Sequence, residues 1–272
     1  MTVPGSDKVF SGSVARLYES LLVPLIFEPY AADLAQRVAE RPVRRVLEVA
    51  AGTGVVTRQL AARLPAAVEI VATDLNPPML AMAAEIGTSR PVDWRAADAQ
   101  HLPFDDGSFD AVVCQFGVMF FPDKARAFAE ARRVLRGGGA FVFSVWDRIE
   151  TSEFAHVVTQ SLEALFPDDP PRFLARTPHG YHDVERVARD LALGGFTTRP
   201  RIETIAARSR AASARQPALA YCQGTPLRNE IEARDATRLA EATDHAERAV
   251  VAQFGPGAVD SGILAHVLSV ER

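Results

Sequence analysis

Three acidic residues and two glycines carry the chemistry legible in this chain. Glu48, Gly52 and Gly54 lie in Val46-Leu47-Glu48-Val49-Ala50-Ala51-Gly52-Thr53-Gly54. Asp74 closes the apolar run Val68–Asp74, and Asp98 follows Val92–Ala97. A buried strand that stops at a glycine turn and restarts as a helix aims backbone N–H groups and a helix N-terminus at one point. That point suits a small molecule bearing negative charge or many acceptors. Asp74, about 22 positions beyond Gly52 at the end of the next strand, is placed to accept from both hydroxyls of an unphosphorylated ribose. Asp98, at a third strand end, is placed to accept from an adenine amino group. Any one of these acids alone would read as a helix cap or a solvated charge. Three in register with a glycine turn point to a nucleoside.

The dinucleotide fingerprint G-x-G-x-x-G fails at Thr57, where the third glycine would stand, and no G-x-x-x-x-G-K-[ST] occurs for a triphosphate. Without phosphates, the remaining anionic group for the helix N-terminus is a carboxylate. Adenosine joined to an amino acid, as in S-adenosylmethionine, meets each requirement. The segments V-L-E-V-A-A-G-T-G, V-A-T-D-L-N-P-P-M-L, A-A-D-A-Q-H-L-P-F-D-D-G-S-F-D-A-V-V and A-R-R-V-L-R-G-G-G-A-F-V-F-S-V-W-D follow one another over residues 43–147. With them the chain resembles the class I S-adenosylmethionine-dependent methyltransferases, in the small-molecule branch of the ubiquinone/menaquinone-biosynthesis type.

The resemblance implies an enzyme that transfers a methyl group from S-adenosylmethionine to a small-molecule O, N or C nucleophile, with S-adenosylhomocysteine as product. It implies a cofactor site of Glu48, Ala50, Gly52, Gly54, Asp74, Leu75, Met79, Asp98, Ala99 and Gln115. Gly52 and Gly54 would approach the methionyl part, Asp74 the ribose and Asp98 the adenine amino group. Leu75 and Met79 would flank adenine or ribose, Ala99 would offer an N–H, and Gln115 would lie under the methionyl carboxylate or sulfonium. The family pattern acid-x-Gly-x-Gly-x-Gly is broken at Ala50, where the expected backbone is β-like. The implied fold is a Rossmann-like α/β sheet of seven strands, mostly parallel with one antiparallel strand. Helices cover both faces, with a helical insertion between the last two strands.

The elements that must position these residues follow from periodicity. Residues 8–41 read as helical pieces. Strands are expected at 43–49, 68–73, 92–96, 110–115, 140–146, 201–206 and 263–270. Helices are expected at 31–40, 55–64, 77–86, 124–135, 153–166 and 183–193, with the 124–135 helix ended by glycines 137–139. Residues 213–253 read as mostly helical, broken at Gln223-Gly224-Thr225-Pro226. Alternating short apolar strands and amphipathic helices argue for a parallel sheet covered on both faces. No composition shift divides the chain, so one domain is expected. It comprises an N-terminal helical cap (1–41), a cofactor-binding core (42–147) and substrate-side helices, insertion and last strands (148–272).

A hydrophobic content of 48% with 24% charged residues suits a chain that buries a core, and the formal charge of −4 gives no general reason to bind nucleic acid or an anionic membrane. Arg199, Arg201, Arg208, Arg210 and Arg215 form a basic stretch that reads as a solvated strand edge, the sharper alternative being attraction of an anionic substrate. Cys114 and Cys222 suggest neither a disulfide framework nor a zinc site and fit a reduced, cytoplasmic compartment. No signal peptide or spanning segment is visible, so a soluble protein without stable membrane association is expected.

Other residues invite catalytic roles. Asp105-Asp106-Gly107 reads as a turn before a strand led by Phe109, not as a metal site. His179-Gly180-Tyr181-His182-Asp183 reads as a turn starting a helix capped by Asp183. Phe116, Phe120 and Phe121 either wall a pocket or pack a core, and Cys222 reads as a buried thiol. Methyl transfer from a sulfonium needs no metal, and a general base only if the acceptor starts protonated. Tyr18, Phe27, His179, Tyr181 and His182 are the acceptor-side candidates. The insertion is expected to shape the acceptor pocket or an oligomer contact such as a homodimer. Two other classes keep parts of this pattern: a non-catalytic S-adenosylmethionine-binding module, and an NAD-dependent oxidoreductase, which the missing third glycine disfavours.

Overall fold

The computed structural model describes residues 12–272. Its sheet has seven strands, β1 (Arg45–Val49), β2 (Glu69–Asp74), β3 (Asp93–Ala96), β4 (Phe109–Gln115), β5 (Leu135–Trp146), β6 (Arg201–Ala211) and β7 (Val259–Glu271), in the order β3-β2-β1-β4-β5-β7-β6. Pairings from β3 through β5 are parallel. Thr204 meets His266 while Arg208 meets Asp260, so β6 and β7 run antiparallel. The order reverses between β1 and β4. In open sheets of this kind the connections leave on opposite sides at such a reversal, and the carboxyl ends of the strands line a crevice.

Two compact units emerge. One comprises Glu28–Val145, Tyr181–Ile205 and Ala265–Arg272; the other comprises the chain up to Phe27 with Trp146–Gly180 and Ala206–Leu264. The chain passes from one unit to the other within β5, β6 and β7.

The first unit holds most of the sheet with α2 (Glu28–Ala39), α3 (Val55–Arg63), α4 (Pro77–Ile86), α5 (Lys124–Val134) and α8 (Val184–Leu193). Strands β1 and β4 are mostly apolar and almost fully buried, as strands covered on both faces must be. Phe128 of α5 packs on Phe141 and Phe143 at centroid distances of 5.8 and 5.6 Å. Asp183 caps α8, its Oδ1 accepting from the Glu185 and Arg186 N–H groups.

Glycines 137–139 do not form a separate turn. Helix α5 ends at Val134 and β5 begins at once with Leu135, running through the glycines. Phe109 pairs with Leu135 but Ala111 with Ala140, so the glycine segment loops the extra residues out of the ladder, with Gly138 at φ 77°. Strands β6 and β7 also outrun their expected limits, because their extra residues continue into the second unit.

That second unit starts with α1 (Gly12–Leu17) and a π-helical segment, Tyr18–Phe27, that contains Pro24. Proline removes a backbone donor from a helix interior, and a wider turn accommodates the loss. The unit continues with α6 (Glu153–Leu165), α7 (Phe173–Arg176), α9 (Arg215–Gln223), α10 (Leu227–Arg234) and α11 (Leu239–Phe254). The helical reading of residues 213–253 and its break thus hold. Glu230 of α10 is 3% exposed and accepts from Arg172 N (2.7 Å), Phe173 N (3.1 Å) and Arg176 Nη1 (2.6 Å). It satisfies the start of α7 and neutralises an arginine together. Truncation would leave buried donors unpaired, so Glu230→Ala should lose about 3 kcal/mol of unfolding free energy in a urea titration; a loss within experimental error would show that Glu230 is dispensable.

Candidate functional site

The glycine turn lies where the register brings it. Strand β1 pairs in parallel with β2, Glu48 opposite Ala72 and Val49 opposite Thr73, so the residues after β1 run beside Asp74. The Asp74 carboxylate is 6% exposed and accepts from Gly52 N (2.8 Å), Asn76 N (2.7 Å) and Asn76 Nδ2 (3.2 Å). Burial raises its pKa against the pull of these donors. Gly52 (φ 58°) and Gly54 (φ 83°) take left-handed backbone that favours glycine. Gly54 precedes α3 with no side-chain cap, leaving first-turn N–H groups for an external acceptor. Thr53 Oγ1, between the glycines, is buried and has no hydrogen-bond partner.

Ala50 corrects the expectation of β-like backbone: its φ is 55°. Among the described residues, only Phe116 (φ 49°) shares this feature without being glycine, and it follows β4, the strand beside β1. The two irregular strand ends are fitted together. A Cβ on Gly117 would come 2.5 Å from Ala50 Cβ and 2.7 Å from Cys114 Sγ. The Ala50 methyl therefore fills the space that a side chain at residue 117 would need. Phe116 is 5% exposed and meets Tyr30 of α2 edge-on at 5.3 Å.

Glu48 is 1% exposed, and its Oε2 accepts from Thr57 Oγ1 at 2.5 Å. Burial pushes its pKa up to about 8, opposed by the Thr57 hydrogen bond and Arg58 and reinforced by Asp74. At neutral pH Glu48 is thus largely uncharged. Burial also raises the Cys114 thiol out of reactive range.

Asp98 turns the chain after β3. Its Oδ1 accepts from Gln100 N (2.9 Å), and Ala97 N donates to the Asp74 carbonyl (3.1 Å), placing this turn beside the end of β2. Ala99 and Met79 are buried, while Leu75 is 52% exposed. Gln115 ends β4 opposite Ser144 of β5. The implied cofactor residues therefore gather at the carboxyl ends of β1, β2, β3 and β4.

Sequence reasoning missed Trp94. A Cβ on Gly54 would lie 2.8 Å from the Trp94 ring and 3.3 Å from Ala83 Cβ, so Gly54 is needed for close packing as well as for its φ. That face of Gly54 meets protein. No local signal marked it, because Trp94 reaches Gly54 only through the ladder, where it stands opposite Ala72.

The acceptor-side candidates divide between the units. In the helical unit, Tyr18 stacks on Phe27 at 5.0 Å, Phe27 meets Trp146 at 6.1 Å, and Trp146 meets His179 at 5.9 Å. His179 Nδ1 lies 2.7 Å from the Asp147 carbonyl. In the other unit, Tyr181 donates to Asp190 Oδ2 at 2.6 Å beneath Lys124 and Arg186, and burial raises its pKa; His182 is exposed. The basic stretch is paired throughout: Arg199 with Glu185, Arg201 with Glu203, Arg208 and Arg210 with Asp260, Arg215 with Asp244 and Glu247. Arg201, Arg208 and Arg210 lie on the edge strand β6, Arg199 precedes it, and Arg215 opens α9. Asp105–Gly107 is a turn, with Gly107 at φ 62° and Asp106 paired to Arg133, and Cys222 is a buried thiol held up to about 12. The helical unit also contains a cavity of about 420 Å³ walled by Leu21, Pro24, Leu25 and Val259, with Arg210 and Asp260 at its rim.

No helix among the described residues is long and apolar enough to cross a membrane. The family model described as a methyltransferase domain matches residues 47–143. The demethylmenaquinone methyltransferase of Thermus thermophilus is 44% identical over 180 residues, covering 62% of this chain and 80% of that one. A ubiquinone/menaquinone biosynthesis C-methyltransferase of a Geobacter species is 36% identical over 142 residues, or 48% of this chain; the chain spans only 59% of that relative's length. The fold is similar to that of phosphoethanolamine N-methyltransferase 2 of Haemonchus contortus, with a TM-score of 0.58, 18% identity, and coverage of 96% of this chain and 57% of that one.

The geometry makes two predictions. Gly117→Ala should destabilise the protein by about 1–3 kcal/mol through overpacking, and adding Ala50→Gly should recover part of that loss; additive effects in a denaturant-titration cycle would refute the contact. For Glu48, the raised folded pKa means that its contribution to stability is fully present below the unfolded carboxyl value of about 4.3. That contribution is lost as pH rises through about 8. Thermal melts of Glu48→Gln should match the native protein near pH 4–5 and exceed it at pH 8–9. A gap independent of pH would count against a buried, neutral Glu48.

Proposed function

Because the chain belongs to the class I S-adenosylmethionine-dependent methyltransferases, in their ubiquinone/menaquinone branch, we propose that the crevice at the ends of β1, β2, β3 and β4 is its donor site, with the residues given below. The protein is an enzyme, its cofactor is S-adenosylmethionine, and its acceptor is a small molecule.

The residues present fit that cofactor. Thr53 Oγ1 is an orphaned buried hydroxyl inside the glycine turn, and the first turn of α3 has no side-chain cap. The observation that carries the reading is the Asp74 carboxylate bound to Gly52 N–H, which unites the ribose-binding acid and the glycine turn at one place. Asp74 accepts from the ribose hydroxyls with its remaining lone pairs. Asp98 accepts from the adenine amino group, with Ala99 N–H beside it. Leu75 and Met79 flank the nucleoside, and the Gly52–Gly54 turn with the start of α3 faces the methionyl carboxylate. Gln115 lies under the carboxylate or sulfonium.

When bound, the cofactor supplies an already activated methyl group on a sulfonium. What remains for the protein is to hold an acceptor lone pair in line with it and to exclude water. A base is required only for a protonated nucleophile. Of the candidates, Tyr181 fits that role least, since its hydroxyl is spent on Asp190 and burial opposes its ionisation. Tyr18, His179 and His182 keep the role open. Demethylmenaquinone, named for the Thermus relative, is the first acceptor to assay. The same reading places the enzyme in the cytoplasm, as a monomer or homodimer without nucleic-acid partners; the charge of −4 supports the last point.

Calorimetry with S-adenosylmethionine, S-adenosylhomocysteine and NAD tests the site. Asp74→Ala should weaken binding of the first two by about 1–3 kcal/mol, the usual cost of losing a charged hydrogen-bond partner. Unchanged affinity would refute the ribose assignment, and binding of NAD alone would refute the donor site.

A further inference from the structure

Strand β3 has only four residues and lies at the edge of the sheet, so the turn that carries Asp98 gains little support from its own strand. Beyond the bond from Ala97 N to the Asp74 carbonyl, its support comes from α5. Gln100 Nε2 lies 3.3 Å from Asp98 Oδ1 and 3.4 Å from Oδ2. Gln100 Oε1 accepts from Asp123 N, the cap residue of α5, at 3.1 Å, and the Gln100 carbonyl accepts from Arg126 Nε at 3.1 Å. Farther along the same helix, Glu130 Oε2 accepts from Leu102 N at 2.8 Å. Arg133 donates to the carbonyls of Leu102 (2.9 Å) and Phe104 (2.7 Å) and pairs with Glu130 at 2.7 Å.

The torsion that turns an aspartate carboxylate is broad and roughly two-fold, so its side chain alone sets the direction of its lone pairs weakly. The backbone bond from Gln100 N engages one oxygen only. The Gln100 carboxamide reaches both oxygens, and its own direction is fixed by the bond its oxygen accepts from α5. Its two ends face different partners and cannot be exchanged without losing both.

We propose that Gln100 is a positioning residue for adenine recognition: anchored on the first turn of α5, its carboxamide orients the Asp98 carboxylate toward the adenine amino group. The proposal rests on the assignment of Asp98 to that amino group made above. Gln100 touches Asp98, not the reacting atoms, so its effect belongs in base selectivity.

Calorimetry would compare S-adenosylhomocysteine with its 6-deamino analogue, in which hydrogen replaces the amino group and the purine ring nitrogens are unchanged. The proteins are the native chain, Asp98→Ala, Gln100→Leu and Gln100→Glu, each with its melting temperature. The native chain should prefer the adenosyl ligand, and Asp98→Ala should abolish that preference. Gln100→Leu should cut it by about 3–10-fold, because the carboxylate remains but is no longer held by the carboxamide, with binding of the deamino analogue unchanged and the folded state retained. Gln100→Glu should cut it further, because a second carboxylate then faces Asp98. If Gln100→Leu keeps the native ratio, or weakens both ligands equally, while Asp98→Ala abolishes the preference, the role of Gln100 is overturned and the Asp98 assignment stands. If the native chain shows no preference, or Asp98→Ala retains it, the Asp98 assignment falls and this proposal falls with it.

Discussion

A buried carboxylate needs donors, and Asp74 finds one of them in the backbone of the glycine turn. Much of the crevice follows from that bond. The parallel register of β1 and β2 brings the turn alongside Asp74, and the bond from Gly52 N holds it there. The other Asp74 oxygen accepts from Asn76, the residue that precedes α4, so one side chain ties the turn after β1 to the helix after β2. The Asp74 carbonyl then receives Ala97 N, which brings in the turn after β3. Three strand ends are thereby joined around one acid.

The turn is also where the backbone is least comfortable. Left-handed φ costs an L-residue roughly 1–2 kcal/mol, and the two non-glycine instances among the described residues occupy adjacent strand ends. Such strain persists only where the surroundings over-determine it. Here the Ala50 methyl fits against a residue that has no side chain, and Phe116 is buried against Tyr30. Alanine in place of the family's glycine is therefore a strained choice with a packing partner. The compensating feature is Gly117, 67 positions away in the chain.

Distance in sequence separates what could be read from what could not. Strands β1, β2, β3 and β4, and helices α3, α4 and α8, lie within about two residues of their expected limits, since each carries a local signal: an apolar run, a proline in a first turn, an aspartate cap. The positions of the three acids and the glycines were legible for the same reason, as each lies at or near the end of a strand that its own apolar run marks. The Ala50 backbone was misjudged because its conformation is set by β4. Trp94 went unnoticed because its contact with Gly54 crosses two strands. Glycines 137–139 look like a turn in isolation, and only the flanking pairs Leu135 and Ala140 with β4, and the bonds of Gly138 N and Gly139 O to Arg272 just past β7, show them inside a strand. Gln100 has no local signature at all, because its meaning lies in the distance to Asp123.

The same contrast bears on why the donor is easier to assign than the acceptor. The family model spans residues 47–143, which contain β1 through most of β5 and every proposed donor residue. In the proposed donor site those residues would act mainly through backbone N–H groups and strand-end carboxylates, which the topology of the sheet positions. The helical unit draws its helices from residues outside that span and is held by side-chain contacts such as Glu230 to the start of α7. An acceptor site built there from individual side chains can change without disturbing the sheet. A donor held by backbone geometry, as proposed, would leave the choice of acceptor to side chains that the sheet does not dictate.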